Sequence, residues 1–274
     1  MAVYNENGDK VDEKRDILLE ISKKTKERIN NKKKEIPFEK IKAIAESMNN
    51  NMGYPFEKAL RSDDISFICE VKKASPSKGI IVEDFNYIEI AKEYESAGAA
   101  AISCLTEPFY FKGSDKFLTE IVENVSIPVL RKDFTVDPYM IYEAKVMGAS
   151  AILLICTILN DEELKSYFKI ADSLGLSVLI EAHTYEEVIR ALNCGGRIIG
   201  VNNRNLKTFQ IDINNSIELK KVIPDELIFV SESGIKTKGD IKKLRDIGTN
   251  AVLIGETLMR SINKKEVLDD LKSL

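Results

Sequence analysis

The sequence predicts an α/β chain closed into a (β/α)8 barrel behind an N-terminal helical extension, and three observations carry that expectation. Eight apolar runs rich in Val, Ile and Leu recur every 21 to 34 residues: Phe67 to Val71, Ala101 to Leu105, Pro128 to Leu130, Ala151 to Ile155, Ser177 to Ile180, Ile198 to Val201, Leu227 to Val230 and Ala251 to Ile254. Their near-continuous hydrophobicity suits strands covered on both faces, and the stretches between them are long enough for the helices that join parallel strands. The runs finish in a polar or charged residue or in Gly, at the strand ends where barrels of this kind keep their catalytic groups. Eight such units in 274 residues favour a closed TIM barrel over an open doubly wound sheet.

Composition narrows the class. Hydrophobic residues at 44% and charged residues at 31% describe a globular chain with ample core. A formal net charge of -4 argues against nucleic acid as a partner. No stretch approaches the roughly 20 apolar residues of a membrane span, and the polar, mixed-charge start lacks a signal-peptide core. A cytoplasmic, monomeric protein is expected. The four cysteines, Cys69, Cys104, Cys156 and Cys194, lack metal-ligand spacing and read as reduced core thiols.

The expected organisation is a polar tail over residues 1–15, a helical extension over 16–62 and the barrel over 63–274. Asp16 to Lys34 reads as a helix with a narrow stripe of Ile17, Ile21 and Ile29, and its seven basic residues from Lys23 to Lys34 read as a solvated face. Pro37 opens a second helix on which Phe38, Ile41, Ile44, Ala45 and Met48 share a face. Both helices precede the first strand and pack outside the eightfold unit. They can cap the bottom, brace the side or reach over the mouth, and periodicity does not choose among these.

The first strand delivers Glu70 and Lys72, two residues apart and so on one side of the strand. Ala74 to Gly79 follows as a loop with hydroxyls, Ser75 among them, and Lys78 available to an anion. Asp84 to Ser96 is the first outer helix. After the second strand, Phe109, Tyr110 and Phe111 either line an aryl pocket or cover the edge of the core. The third strand ends at Lys132, Asp133 and Phe134, and Asp137-Pro138 starts the next helix. The fourth offers no chemistry. The fifth ends at Glu181, in register with the other charged ends, and the single histidine beyond it, His183, reads as a structural loop residue. The sixth brings Asn202, Asn203 and Arg204, whose amides and guanidinium suit carboxylate or hydroxyl groups. Strands seven and eight end at Glu232-Ser233-Gly234 and Gly255-Glu256. Small residues at that pair of turns let backbone N–H groups approach an anion, so a phosphorylated small molecule is the expected ligand.

In this order these residues resemble the indole-3-glycerol phosphate synthase family of the tryptophan pathway. The likeness runs from about Ile17 to the end and rests on Glu-Val-Lys-Lys-Ala-Ser-Pro-Ser-Lys-Gly at 70–79, Leu-Arg-Lys-Asp-Phe at 130–134 and Leu-Ile-Glu at 179–181. Asn-Asn-Arg-Asn-Leu at 202–206, Ser-Glu-Ser-Gly-Ile at 231–235 and Gly-Glu-Thr-Leu-Met at 255–259 complete it. The departures are the polar tail and Met140 where Gln is expected. The resemblance implies a carboxy-lyase that closes 1-(2-carboxyphenylamino)-1-deoxyribulose 5-phosphate to indole-3-glycerol phosphate, with no cofactor and no metal. It implies Lys132 as the acid at the ribulose carbonyl, Glu181 as the base in dehydration and Lys72 as the holder of the anionic substrate. Glu70, Asn202 and Glu232 would position these groups, Ser75 and Arg204 would lie near the anthranilate carboxylate, and Phe134 would contact the substrate. Ser233, Gly234, Gly255 and Glu256 would hold the phosphate. Two other readings of the same residues stay open. One is an aldolase with Lys132 as Schiff-base nucleophile, and the other is a phosphate-binding barrel without catalysis.

Overall fold

The computed structural model describes residues 17–205 and 208–273, together with Val3–Tyr4 and Lys10–Val11. Among the described residues, eight parallel strands close into one barrel: β1 (Ser66–Val71), β2 (Ala101–Leu105), β3 (Val129–Lys132), β4 (Ala151–Ile155), β5 (Ser177–Ala182), β6 (Ile198–Asn202), β7 (Ile228–Glu232) and β8 (Ala251–Ile254). Each pairs with its sequence neighbours, and β8 pairs with β1 through Leu253 opposite Ile68. The eight apolar runs are the eight strands. Several strands reach one or two residues beyond the run, so that Lys132, Glu181, Asn202 and Glu232 lie inside the ladder.

The strand period of two sorts side chains into two cores. Outward residues such as Val71, Ile152 and Val201 pack under the surrounding helices, while Ile68, Leu130, Leu179, Val230 and Leu253 fill the barrel interior. The outer helices are α4 (Tyr87–Ser96), α5 (Asp115–Asn124), α6 (Pro138–Val146), α7 (Asp161–Ser173), α8 (Tyr185–Cys194), α9 (Asn214–Lys220), α10 (Lys238–Asp246), α11 (Glu256–Met259) and α12 (Lys264–Lys272). Asn86 caps α4, so that helix begins three residues later than the sequence suggested. Asp137 caps α6 with Pro138 in its first turn, as expected.

The extension preceding β1 is α1 (Ile17–Glu35), α2 (Phe38–Ser47) and α3 (Pro55–Ala59), and it takes all three of the open placements, one per helix. Helix α1 crosses the mouth, where Leu18 and Ile21 join the interior core. Helix α2 braces the side, with the Phe38 and Tyr142 rings edge to face at 5.6 Å. Helix α3 plugs the opposite end with Phe56 and Leu60, and Arg197, just before β6, holds it by donating to Glu57 at 2.9 Å.

Two expectations about this extension need correction. The basic run is a solvated face only in part: Lys23, Lys26 and Lys34 are exposed, but Arg28 pairs with Asp133 at 2.8 Å, Lys32 with Asp115 and with Glu143 at 2.5 Å, and Lys33 with Asp137 at 2.6 Å. These acidic groups follow β3 or lie on or cap α5 and α6, the helices behind β2 and β3, so that part of the run is complementary to the barrel rim. On α2, Ile41 and Ala45 are buried but Ile44 and Met48 are largely exposed, because only one side of a single helix can rest on α6. The expected tail is described only at Val3–Tyr4 and Lys10–Val11, which pair antiparallel; its remainder, Asp16 and Leu206 lie outside the described residues. Among the described residues no helix is long and apolar enough to cross a membrane.

Candidate active site

The mouth of the barrel encloses about 390 Å³ beneath α1. Of the residues the sequence singled out, Glu70, Lys72, Ser75, Lys132, Phe134 and Glu181 line one half, and Asn202, Arg204, Glu232, Ser233, Gly234, Gly255 and Glu256 the other, whereas the Asn203 side chain is spent on Ser216, Ser231 and the Ser233 carbonyl outside the cavity. They share the cavity because each charged strand-end residue falls on the inward phase of its strand, one step beyond an apolar residue such as Ile68, Leu130, Leu179 or Val230.

At the centre is a cluster of buried charge. The Lys132 ammonium lies 2.7 Å from Glu232 and 3.2 Å from Glu181, and Lys72, just past the end of β1, donates back along the strand to Glu70. Asn202 donates its amide to Glu181 at 3.2 Å and accepts from the Arg204 N–H, so the sixth strand orients the fifth strand's carboxylate. Three carboxylates against two ammonium groups leave one excess negative charge when all are ionised.

The surroundings divide the protons unequally. Burial alone would discharge Lys132, but Glu232, Glu181 and Glu70 outweigh it and hold the ammonium well above the usual lysine range. Burial likewise raises Glu181, yet Lys132 and His183 beside it bring that carboxyl below the usual range. For Glu232 burial wins. Lys132 pulls its pKa down, Glu181 and Glu70 add repulsion, and the carboxyl is pushed up to about 7. Glu232 is therefore where the cluster keeps a proton near neutrality, which removes the excess charge.

Two glycines make room for this cluster. A Cβ on Gly255 would lie 2.4 Å from Glu70 Oε1, and one on Gly200 would lie 2.3 Å from Glu232 Oε1. Gly255 was singled out in the sequence as a phosphate turn, whereas Gly200 was missed: it sits inside an apolar run, and its signal was a glycine in mid-strand. The turn after β7 carries Ser233 and Gly234 at φ 67° and 85°, a left-handed pair that is costly for a serine and points to constraint at a working site.

Apolar and cationic walls complete the cavity. Phe111 faces Phe134 with ring centroids 6.1 Å apart, so one of the three loop aromatics lines the pocket. The other two face α1, where Lys24 lies over both rings. Ile17, Leu18 and Ile21 of α1 also line the cavity, as do Lys236 and Arg260 beside the turns after β7 and β8. Sequence reasoning passed over these: α1 is distant in the chain, and lone surface cations carry no pattern. His183 does not line the cavity, in keeping with its reading as a loop residue, but it lies directly behind Glu181. All four cysteines are free, with Cys69, Cys104 and Cys156 buried. Among the described residues no cluster of His, Cys, Asp and Glu could hold a metal ion.

Comparison with known proteins bears on this geometry. A family profile described as indole-3-glycerol phosphate synthase matches residues 18–271. An indole-3-glycerol phosphate synthase from Ruminiclostridium cellulolyticum is 58% identical over 89% of this chain and 94% of its own length. One from Lachnoclostridium phytofermentans is 51% identical over 94% of this chain and 99% of its own. Among solved structures, a mutant tryptophan synthase alpha-subunit from Pyrococcus furiosus superposes with a TM-score of 0.58 at 14% identity, covering 77% of this chain and 99% of that one. That last likeness is one of barrel architecture alone.

Proposed function

The chain belongs to the indole-3-glycerol phosphate synthase family, and on that premise we propose that its mouth cavity closes 1-(2-carboxyphenylamino)-1-deoxyribulose 5-phosphate to indole-3-glycerol phosphate, with loss of carbon dioxide and water. The observation that carries the assignment of roles is the Lys132 ammonium held between Glu181 and Glu232 at the end of an apolar barrel. Ring closure needs a proton at the ribulose carbonyl as the aryl carbon attacks, and Lys132 supplies it. A lysine held so firmly charged is a weak acid, so its proton must be replaced quickly. Glu232, 2.7 Å away and near neutrality in its own titration, is placed to do so. Decarboxylation restores the aromatic ring. Glu181, kept ionised, takes the proton released as water leaves, while Lys72 faces the anionic substrate.

The substrate's ends find complementary walls. Phe111, Phe134 and the apolar residues of α1 suit the aryl ring, and Ser75 and Arg204 suit its carboxylate. The turns at Ser233-Gly234 and Gly255-Glu256, with Lys236 and Arg260 alongside, suit the phosphate. We further propose a monomer as the working unit and a cytoplasmic location for the enzyme. The aldolase alternative is disfavoured by the same electrostatics, because a Schiff-base lysine must lose its proton to attack and Lys132 is held charged.

The direct test is to add the carboxyphenylamino substrate to the purified chain and follow indole fluorescence. A rise that Lys132→Met abolishes is expected. No rise from the folded chain overturns the assignment, and borohydride trapping of a ketose phosphate on Lys132 would favour the aldolase.

A further inference from the structure

We propose that His183 is a positioning residue for Glu181: clamped from behind by Glu187, its imidazole presents a cationic edge that orients the Glu181 carboxylate toward Lys132 and weakens its hold on a proton. The inference rests on the reading of Glu181 as the base. It begins from a residue that does not touch the cavity and that the catalytic scheme does not use.

The geometry is a chain of contacts leading outward from the cavity. Glu181, at the end of β5, reaches Lys132 with Oε2 and Asn202 with Oε1. Behind it, His183 Nε2 lies 3.5 Å from that same Oε1, and His183 Nδ1 lies 3.4 Å from Glu187 Oε2. Glu187 belongs to the first turn of α8 and is itself held: the His183 backbone N–H donates to it at 2.7 Å and the Thr157 hydroxyl at 2.7 Å. Asn215 fixes the His183 carbonyl at 3.2 Å. The imidazole, only 14% exposed, therefore bridges two carboxylates, and its Nε2 is buried with no hydrogen-bond partner among the described residues.

An ordinary loop histidine needs no such frame. The charged groups facing it are Glu181 from β5, Glu187 from α8 and, at longer range, Glu232 from β7. Burial works against the imidazolium, and these carboxylates outweigh it, so the ring titrates above its ordinary range. Glu187 conversely stays below the usual carboxylate range: burial would raise it, and its bonds to His183 and Thr157 prevail. A cation behind Glu181 lowers that group's proton affinity and leaves Oε2 turned toward Lys132.

The test is the pH profile of steady-state kcat, with the single histidine as an internal probe. In His183→Asn and His183→Leu the low-pH limb, set by protonation of Glu181, should move upward by roughly one pH unit, since an opposite charge within a few ångströms is worth about that much. KM should hold. Glu187→Gln, which leaves the imidazole protonated at those pH values, should move the limb less than either histidine variant. Proton NMR of the one imidazole should show its titration point fall in Glu187→Gln and in Glu181→Gln. A lowered melting temperature with the limb unmoved in both histidine variants assigns His183 to loop packing and overturns the proposal. If instead Glu181→Gln is as active as the wild type, the base assignment fails. The NMR titration, which needs no turnover, still decides whether the imidazole senses both carboxylates.

Discussion

The two ends of this barrel are built from the same eight strands and face opposite problems. At the N-terminal ends the interior is closed by hydrocarbon, with Phe56 and Leu60 of α3 sealed against Ile198, Ile228 and Ala251. At the C-terminal ends the same inward phase delivers Glu70, Lys132, Glu181 and Glu232, which line the cavity that Ile17, Leu18 and Ile21 of α1 also line. Buried apolar area stabilises the fold directly. Buried charge does so weakly or not at all, because desolvation offsets most of the Coulombic gain. The contrast teaches a division of labour: the plugged end supplies stability that the charged end cannot, and the charged end keeps groups with displaced pKa values that the plugged end has no use for.

The sharpest way to break that division is to exchange the kind of damage done at each end. Lys132→Met should lower kcat on the order of 10² to 10⁴, as expected for a positioned general acid, and return substrate unchanged. Glu181→Gln should lose a comparable order, but in single turnover it should release carbon dioxide ahead of indole product, because decarboxylation precedes the step it serves. Carbon dioxide and indole appearing together in both variants would defeat this separation of roles.

At the other end, Phe56→Ala should cost about 3 to 5 kcal/mol of unfolding free energy by denaturant titration, because a fully buried ring leaves a cavity. Its kcat per folded molecule should stay near the wild-type value. A large loss of kcat at unchanged stability would mean that the plug transmits to the mouth.

Helix α1 belongs to the charged end, so deleting Met1 to Lys34 should leave a folded barrel and raise KM by about tenfold, equivalent to roughly 1.4 kcal/mol of lost substrate contact. Its ion pairs with Asp133, Glu143 and Asp137 predict that salt raises KM more steeply in the full chain than in the truncated one, where only the cation–substrate contacts are left to screen. Failure of the truncated chain to fold would place α1 with the plug as part of the core.

The smallest effect expected is on the pH dependence of stability. Glu232 is pushed above its unfolded value of 4.5 to about 7, so the folded state favours the protonated form. The contribution is fully present below pH 4.5 and is lost as pH rises through 7. Glu232→Gln should remove that slope, so melting temperatures of the two proteins should diverge between those values, the variant holding its stability while the wild type declines. Parallel curves would show that Glu232 is ionised throughout.

What the sequence determined by itself is whatever depends on neighbours along the chain. A period of two over five or six residues specifies which side chains enter the barrel, and an apolar run ending in charge specifies which of them reach the mouth. Lys132, Glu181 and Glu232 were legible for that reason, and so were the turns at Ser233-Gly234 and Gly255-Glu256. The tertiary structure decided what depends on distance through space. Lys32 meets Glu143 from 111 residues away, so no local pattern could reveal that part of the basic run clamps the barrel rim instead of facing solvent. Gly200 carries meaning only because the Glu232 carboxylate bends over it, and His183 only because Glu181 and Glu187 converge on its two nitrogens. The unequal hold of Glu181 and Glu232 on a proton follows from burial and separation, which are properties of the closed barrel: a proton's free energy responds to every charge within several ångströms, whichever strand carries it.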